Sequence, residues 1–177
     1  MGVDRLLAPV LRSAPRLKRG QGYTLLELMF ALIVVGLLAA IAVPSYARIL
    51  EQQKIQQGER DLRLLGLRIE NYRTQHGVPP DSLNQLNMTL PRDPWGHDYQ
   101  FLNFSSNIPG INGMIRKDHN LHPLNSEFDL YSMGADGDSK APLTAKASRD
   151  DIIWARDGDF VGLAEDCLLY TSDAADE

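Results

Sequence analysis

Residues 23–46, YTLLELMFALIVVGLLAAIAVPSY, decide the fold of this chain because they are apolar almost throughout. The stretch contains one charged residue, Glu27, and the sixteen residues from Leu28 to Val43 contain no charge and no strongly polar side chain. An α-helix of about 20 apolar residues spans a bilayer. The sequence therefore predicts one membrane-spanning helix near the N-terminus.

The segment before this helix is basic and gives the chain an orientation. Residues 1–22 carry one acid, Asp4, and five bases: Arg5, Arg12, Arg16, Lys18 and Arg19. Basic flanks stay on the cytoplasmic side, so we expect the remainder of the chain to be exported. A cleaved secretory signal peptide is the alternative, since its cleavage site also has small residues. Such residues occur late in the span, at Ala39, Ala40 and Ala42.

The overall composition excludes several classes of protein. The chain has 177 residues, with 14 Gly, 10 Pro and one Cys, and a net charge of −5. This composition is unlike collagen or a disordered chain, and one Cys cannot build a disulfide scaffold or a Cys-based zinc finger. The negative charge argues against a nucleic-acid binder.

An amphipathic helical pattern continues beyond the apolar stretch. Apolar side chains recur at helical spacing at Leu62, Leu65, Ile69 and Tyr72, and Ile55 lies one heptad before Leu62. The pattern predicts one helix over 23–76, ending at His76 before Gly77. We expect a kink at Pro44 and weakening at Gly58 and Gly66.

Residues 77–166 are predicted to form a small exported domain that covers the outer half of the helix. Asp81 is the expected cap of a short helix through Leu83 and Leu86. Strands are predicted at Tyr99–Asn103, Gly113–Lys117 and Phe128–Met133. The fold class is thus α+β, with a small antiparallel sheet packed on a long helix.

The last eleven residues, CLLYTSDAADE from Cys167 to Glu177, do not continue the preceding pattern. They resemble the translation of a common sequencing adapter, which predicts that 167–177 is a library artefact. The alternative is a genuine acidic, frayed terminus.

The residues from Gly20 to Met29, GQGYTLLELM, resemble the type IV prepilin signature. The resemblance implies cleavage by a dedicated membrane peptidase between Gly22 and Tyr23, followed by N-methylation of Tyr23. Glu27 is then the fifth mature residue, as in that family. Tyr23 replaces the usual Phe and keeps an aromatic first residue.

Glu27 needs a partner because a carboxylate within a membrane helix costs several kcal/mol. No Lys or Arg lies between residues 20 and 47. The resemblance implies that Glu27 of one subunit pairs with the new Tyr23 amine of its neighbour in a filament. A Glu that snorkels to the membrane edge is the alternative.

Three further segments resemble the major pseudopilin of type II secretion, and their residues are given as printed in the sequence. They are LPRDPWGHDY over 90–99, FDLYSMGADG over 128–137, and DDI over 150–152. Three departures from that family are Asp98 in place of the usual Pro, a shorter stretch between Tyr72 and Pro91, and a stretch over 116–125 that has the character of an insertion. The resemblance implies a structural subunit of a periplasmic filament and no enzyme. A surface type IV pilus or DNA-uptake subunit is the nearest alternative, and a signal-anchored enzyme is a more distant one.

The resemblance also implies a calcium site in the acidic loop. Calcium takes about 6–8 oxygen ligands. The implied carboxylates are those of Asp136 and Asp150, with Asp151 in reserve. The implied carbonyls are those of Met133, Ala135 and Asp138. The spacing excludes an EF-hand, and turn formation alone is the alternative role of these residues.

Other candidate residues are weaker. His119 and His122 are interpreted as ordinary loop histidines, and Ser132 lacks the context of a catalytic nucleophile. Trp95 is expected to pack on the domain, whereas Trp154 could pack or bind a partner. The implied partners are other copies of the chain, minor pseudopilins, the prepilin peptidase, an inner-membrane platform protein and an assembly ATPase.

Overall fold

The computed structural model describes residues 22–118 and 121–173. The predicted leader up to residue 21, His119 and the last four residues of the suspected artefact lie outside the described residues. The chain divides into two compact units, one up to Pro44 and one from Ser45 onward. The first unit contains the apolar half of a long helix, α1. The second unit contains the rest of α1 and the residues of both apolar clusters.

Helix α1 spans Leu25–His76 and includes Pro44. It ends as the sequence predicts: Gly77 follows with φ 81°, and its N–H donates to the carbonyl of Arg73 at 2.7 Å. A left-handed residue at this position is the usual way to end a helix. The long N-terminal helix is therefore confirmed, while the kink at Pro44 stays a prediction.

The sheet has four antiparallel strands in the order β1-β2-β3-β4. The strands are β1 Gln100–Asn103, β2 Phe128–Ser132, β3 Ile152–Ala155 and β4 Phe160–Leu163. Leu130 lies opposite Phe101 on one side and Trp154 on the other. This sheet with α1 confirms the predicted α+β class.

The predicted strand at Gly113–Lys117 is wrong. Ile111–Gly113 forms a 3-10 turn, and Lys117 makes only an isolated bridge to Pro142. Strands β3 and β4 were not predicted from the sequence. All four residues of β3 are buried, so it lacks the apolar–polar alternation by which a half-buried strand is recognised.

The predicted stripe on α1 is confirmed as the centre of the main core. Leu62, Leu65 and Ile69 are fully buried, and they pack with sheet residues that include Leu130 and Trp154. Ile55 packs at the edge of this cluster. Tyr72 is half-buried at the other end, where its ring stacks on His76 at 4.0 Å.

Gly58 and Gly66 have a packing reason that the sequence did not reveal. A Cβ at Gly58 would collide with Cδ1 of Ile152, and one at Gly66 would collide with three ring atoms of Trp154. The two glycines let the sheet lie directly on the helix backbone. Glycine lowers the helix propensity of α1, but at these two positions it allows close contact between α1 and the sheet.

The segment after α1 forms a 3-10 turn at Leu83–Leu86, with Leu83 buried. The prediction that Asp81 caps it is wrong, because the capping position is Ser82 and no side chain there caps the turn. Asp81 instead donates its backbone N–H to Oε1 of Gln85 at 2.9 Å.

A second apolar cluster involves β3 and the helix α2, Ala164–Asp173. It includes Ile153 and Cys167, and Cys167 is 1% exposed. Burial raises the pKa of the Cys167 thiol to about 11. The first residue of the suspected adapter thus packs in the core, and the artefact interpretation of 167–177 stays a prediction.

Candidate functional site

The N-terminal end of α1 carries the residues predicted for processing and assembly. Tyr23 and Thr24 precede the helix, and Oγ1 of Thr24 accepts the N–H of Glu27 at 3.2 Å. Gly22, Tyr23 and Glu27 are all exposed. A Cβ at Gly22 would meet no described atom within 4 Å. The packing of the described residues therefore does not require a glycine at position 22.

The apolar half of α1 is exposed in the part of the chain that the structure describes. Among the described residues, α1 alone is long and apolar enough to cross a membrane, and none of its most apolar window is buried. Leu25 and Leu26 are each 77% exposed, and Ile41 is 71% exposed. A surface of this kind requires either lipid or other helices around it.

The two segments 90–99 and 128–137 meet at Asp93. One oxygen of this buried carboxylate accepts the N–H groups of Trp95 (3.1 Å) and His97 (2.7 Å). The other accepts the hydroxyl of Ser132 at 2.6 Å. Ser132 is therefore held as a structural donor, in agreement with the expectation that it is no nucleophile.

The same region fastens the domain to the outer half of α1. The indole N–H of Trp95 donates to Glu51 at 3.2 Å, and the hydroxyl of Tyr99 donates to Asp61 at 3.1 Å. Trp95 also packs against the main core, as expected. The conformation of 90–99 thus fixes where the sheet sits on the helix.

The acidic loop, residues 133–151, is built from turns closed by its own carboxylates. Oδ2 of Asp150 accepts the N–H groups of Ala135 (2.9 Å) and Asp136 (3.2 Å). Gly134, with φ 64°, lies directly against the carbonyl of Asp150, and a Cβ there would collide with it. Oδ1 of Asp136 accepts the N–H of Asp138 at 2.8 Å.

The carboxylates among the predicted calcium ligands have other partners in this arrangement. Asp136 and Asp150 line one open cleft, and its other charged lining residues are Glu51, Glu165, Lys146 and Arg149. Asp138 accepts the N–H of Ser139 at 2.9 Å and lies 3.4 Å from the ammonium of Lys140. Within residues 22–118 and 121–173, no three His, Cys, Asp or Glu side chains are grouped as metal ligands.

Asp151 has a different partner. Its Oδ2 lies 2.6 Å from Nη2 of Arg116 and accepts the hydroxyl of Ser139 at 2.6 Å. Arg116 and Asp151 are both buried. Burial raises the pKa of the Asp151 carboxyl, and Arg116 opposes that rise. Calcium binding by Met133, Ala135, Asp136, Asp138, Asp150 and Asp151 therefore stays a prediction.

Sequence reasoning missed the polar cluster around Arg116. The backbone N–H of Arg116 donates to Oδ2 of Asp129 at 2.7 Å, and Nδ2 of Asn125 donates to Oδ1 of Asp129 at 3.0 Å. Arg116 and Asn125 are the two ends of the stretch interpreted as an insertion. The available signal was Arg116 itself, a cation in a segment with few apolar residues.

Asp129 is expected to make folding pH-dependent. Burial raises the pKa of its carboxyl to about 6 from an ordinary value of 3.8, against the hydrogen bonds from Arg116 and Asn125. Because the folded state holds this proton more tightly, the stability due to Asp129 is complete below about pH 4 and is lost as the pH rises through about 6. We expect that loss to be about 3 kcal/mol. Denaturant unfolding at several pH values measures it.

The Asp129→Asn variant should lose this part of the pH dependence, whatever its stability at a single pH. Asp81→Asn, which removes an exposed acid, is the matched control and should keep it. An unchanged pH profile in Asp129→Asn would show that another group is responsible.

Trp154 and His122 are the two remaining candidate residues. Trp154 packs against Gly66 and Gly158, so its ring is a core element and not a surface anchor. His122 is exposed. The described part of its loop contains no group of three or more possible metal-binding side chains.

Sequence comparisons show which known proteins this chain resembles. The family described as "Prokaryotic N-terminal methylation motif" matches residues 17–43. The chain is 29% identical over 141 residues to the type II secretion system core protein G of Pseudomonas aeruginosa, covering 68% of this chain and 87% of that protein. The protein of the same name from Vibrio cholerae is 27% identical, with 69% and 85% covered. The one from Escherichia coli is 28% identical, with 67% and 83% covered. No solved structure shows a significant match.

Proposed function

We propose that this chain, a type IV pilin-like protein similar to the type II secretion system core protein G, is the precursor of a major pseudopilin. Its role is structural: the mature subunits polymerise into a pseudopilus that drives protein secretion. The observation that carries the proposal is the methylation motif at the start of an uncovered apolar helix. The similarity to core protein G covers 68% of this chain and so extends beyond α1 into the domain that follows, which does not favour a surface pilus or DNA-uptake subunit.

The exposed N-terminal end of α1 supports a processing step. Gly22 and Tyr23 are accessible and precede the first helical turn. A prepilin peptidase would cut between them, and the new Tyr23 amine would be methylated. Before cutting, the basic leader holds the chain with its N-terminus in the cytoplasm. The chain is thus anchored in the inner membrane with the domain in the periplasm.

Assembly would use the same apolar surface twice. Lipid covers it in the membrane, and helices of neighbouring subunits cover it in the filament. Glu27 is the one charge among residues 23–46, and the Tyr23 amine of a neighbour would be its partner. This pair would set the register between subunits. A platform protein and an assembly ATPase would drive growth, and minor pseudopilins would share the filament.

The processing step is tested by co-expressing the full chain with a prepilin peptidase and sequencing the N-terminus of the product. We expect the sequence to start at Tyr23, with the mass of one added methyl group. A bulky residue in Gly22→Ile should block cleavage because the peptidase recognises glycine at this position. Gly20→Ala is the matched control and should be cut normally. A mature start at any other residue would overturn the proposal.

A further inference from the structure

We propose that Arg116 supplies, from within the chain, the positive charge that calcium is expected to supply to the acidic loop. The loop is then fixed without a metal ion. This inference concerns the folding of the exported domain and is independent of which filament the chain builds.

The surroundings of the guanidinium carry the inference. It contacts three kinds of oxygen: the carboxylate of Asp151 at 2.6 Å, the hydroxyl of Ser139, and the carbonyl of Lys140 at 3.5 Å. Carboxylate and carbonyl oxygens are the ligands that calcium takes in protein loops. Arg116 therefore gathers the oxygens of this loop around a cation that is part of the chain.

The ion pair between Arg116 and Asp151 is buried, which makes it costly to break. Arg116 is 2% exposed and Asp151 is fully buried. A buried ion pair is destabilised strongly when one partner is removed, because the other charge is left without compensation. Arginine cannot lose its proton to avoid this. Its guanidinium also lies over the ring of Tyr131, 3.7 Å from the centroid, which favours a cation at this position.

The segment that brings in Arg116 is tied to the rest of the domain on both sides. Leu124 donates its N–H to the carbonyl of Arg116 at 3.0 Å. Lys117 donates to the carbonyl of Ala141 at 3.1 Å, and Leu143 donates to that of Lys117 at 3.0 Å. The backbone of the segment thus holds the guanidinium in place beside the acidic loop.

Asp151 offers few ligands to an additional ion. Its second oxygen, Oδ1, is buried and has no hydrogen-bond partner among the described residues. One free oxygen is far from the 6–8 ligands that calcium takes. The carboxylates of Asp136, Asp138 and Asp150 each hold at least one backbone N–H.

The test is thermal unfolding of the full chain in detergent micelles, with millimolar calcium and with excess chelator. We expect the Tm of the unaltered chain to be the same in both, within about 1 °C. A bound ion would instead raise the Tm by several degrees, since a ligand that binds only the folded state stabilises it. Such a rise in the unaltered chain would overturn the proposal without any variant.

Variants at position 116 test the role of the charge. In chelator, Arg116→Met keeps much of the side-chain volume and removes the charge, and we expect its Tm to fall by about 10 °C or more. Arg116→Lys keeps the charge without the planar fork and should fall by less. Arg116→Ala opens space beside Asp151, and calcium should raise its Tm while leaving the unaltered chain unchanged.

Arg92→Ala is the matched control. Arg92 also faces an aspartate, Asp98 at 3.6 Å, but both side chains are more than two-thirds exposed. Exposed pairs contribute little, so this variant should melt within about 2 °C of the unaltered chain. If Arg116→Met is as stable as Arg92→Ala, the proposal is wrong.

Discussion

Replacing Glu27 with Leu is expected to abolish filament assembly while the chain still inserts into the membrane. Leu is more favourable than Glu in lipid, so insertion does not need the carboxylate. Assembly is expected to need the carboxylate, because Glu27 is the one charged residue among residues 23–46. A lost contact of about 1.4 kcal/mol already weakens association tenfold, and a filament repeats the contact at every subunit.

The measurement is the amount of filament recovered when the chain is co-expressed with the assembly machinery, together with membrane fractionation of the same cells. We expect at least about a tenfold loss of filament and an unchanged membrane fraction. Glu27→Gln, which keeps the shape and removes the charge, should fail in the same way. Leu26→Ile changes a neighbouring exposed side chain and should assemble normally. Normal yields from Glu27→Leu would eliminate the pairing with the Tyr23 amine.

Replacing Gly66 with Ala is expected to destabilise the domain that packs on the second half of α1 by about 2 kcal/mol or more. Alanine favours the helix by about 1 kcal/mol, but the added methyl group would collide with three atoms of the Trp154 ring. The ring cannot move away easily because Gly158 lies against it on another side. Overpacking of a rigid group typically costs about 1–3 kcal/mol and sometimes more.

Gly58→Ala is the matched comparison on the same helix. Its methyl group would meet Cδ1 of Ile152, the end of a flexible side chain, which can rotate out of the way. The gain in helix propensity should offset this smaller cost, leaving stability within about 1 kcal/mol of the unaltered chain. Denaturant unfolding of both variants gives the difference. Equal effects at the two positions would mean that the packing of Trp154 on α1 is looser than the structure indicates.

The features that sequence reasoning predicted are those governed by local periodicity. The stripe through Leu62, Leu65 and Ile69 has the spacing of a helix face, and it is the centre of the core. Gly77 ends α1 because a left-handed residue is needed there. Strand β2 was predicted with an error of one residue at its end.

The features that it missed depend on contacts between distant residues. Strand β3 is buried on both faces between two apolar clusters, and no alternation marks such a strand. Gly66 reads as a helix weakness until Trp154, 88 positions later in the numbering, is placed against it. The pairing of Arg116 with Asp151 spans 35 positions and leaves no local pattern.

The uncovered half of α1 has a consequence for how the filament grows. Lipid tails are about as apolar as leucine side chains, so a subunit that leaves the bilayer for a bundle of like helices gains little hydrophobic free energy. The free energy of the apolar helix would then be nearly the same in the membrane and in a filament. Small changes in a few polar contacts, or modest mechanical work by a motor, would decide the direction of exchange.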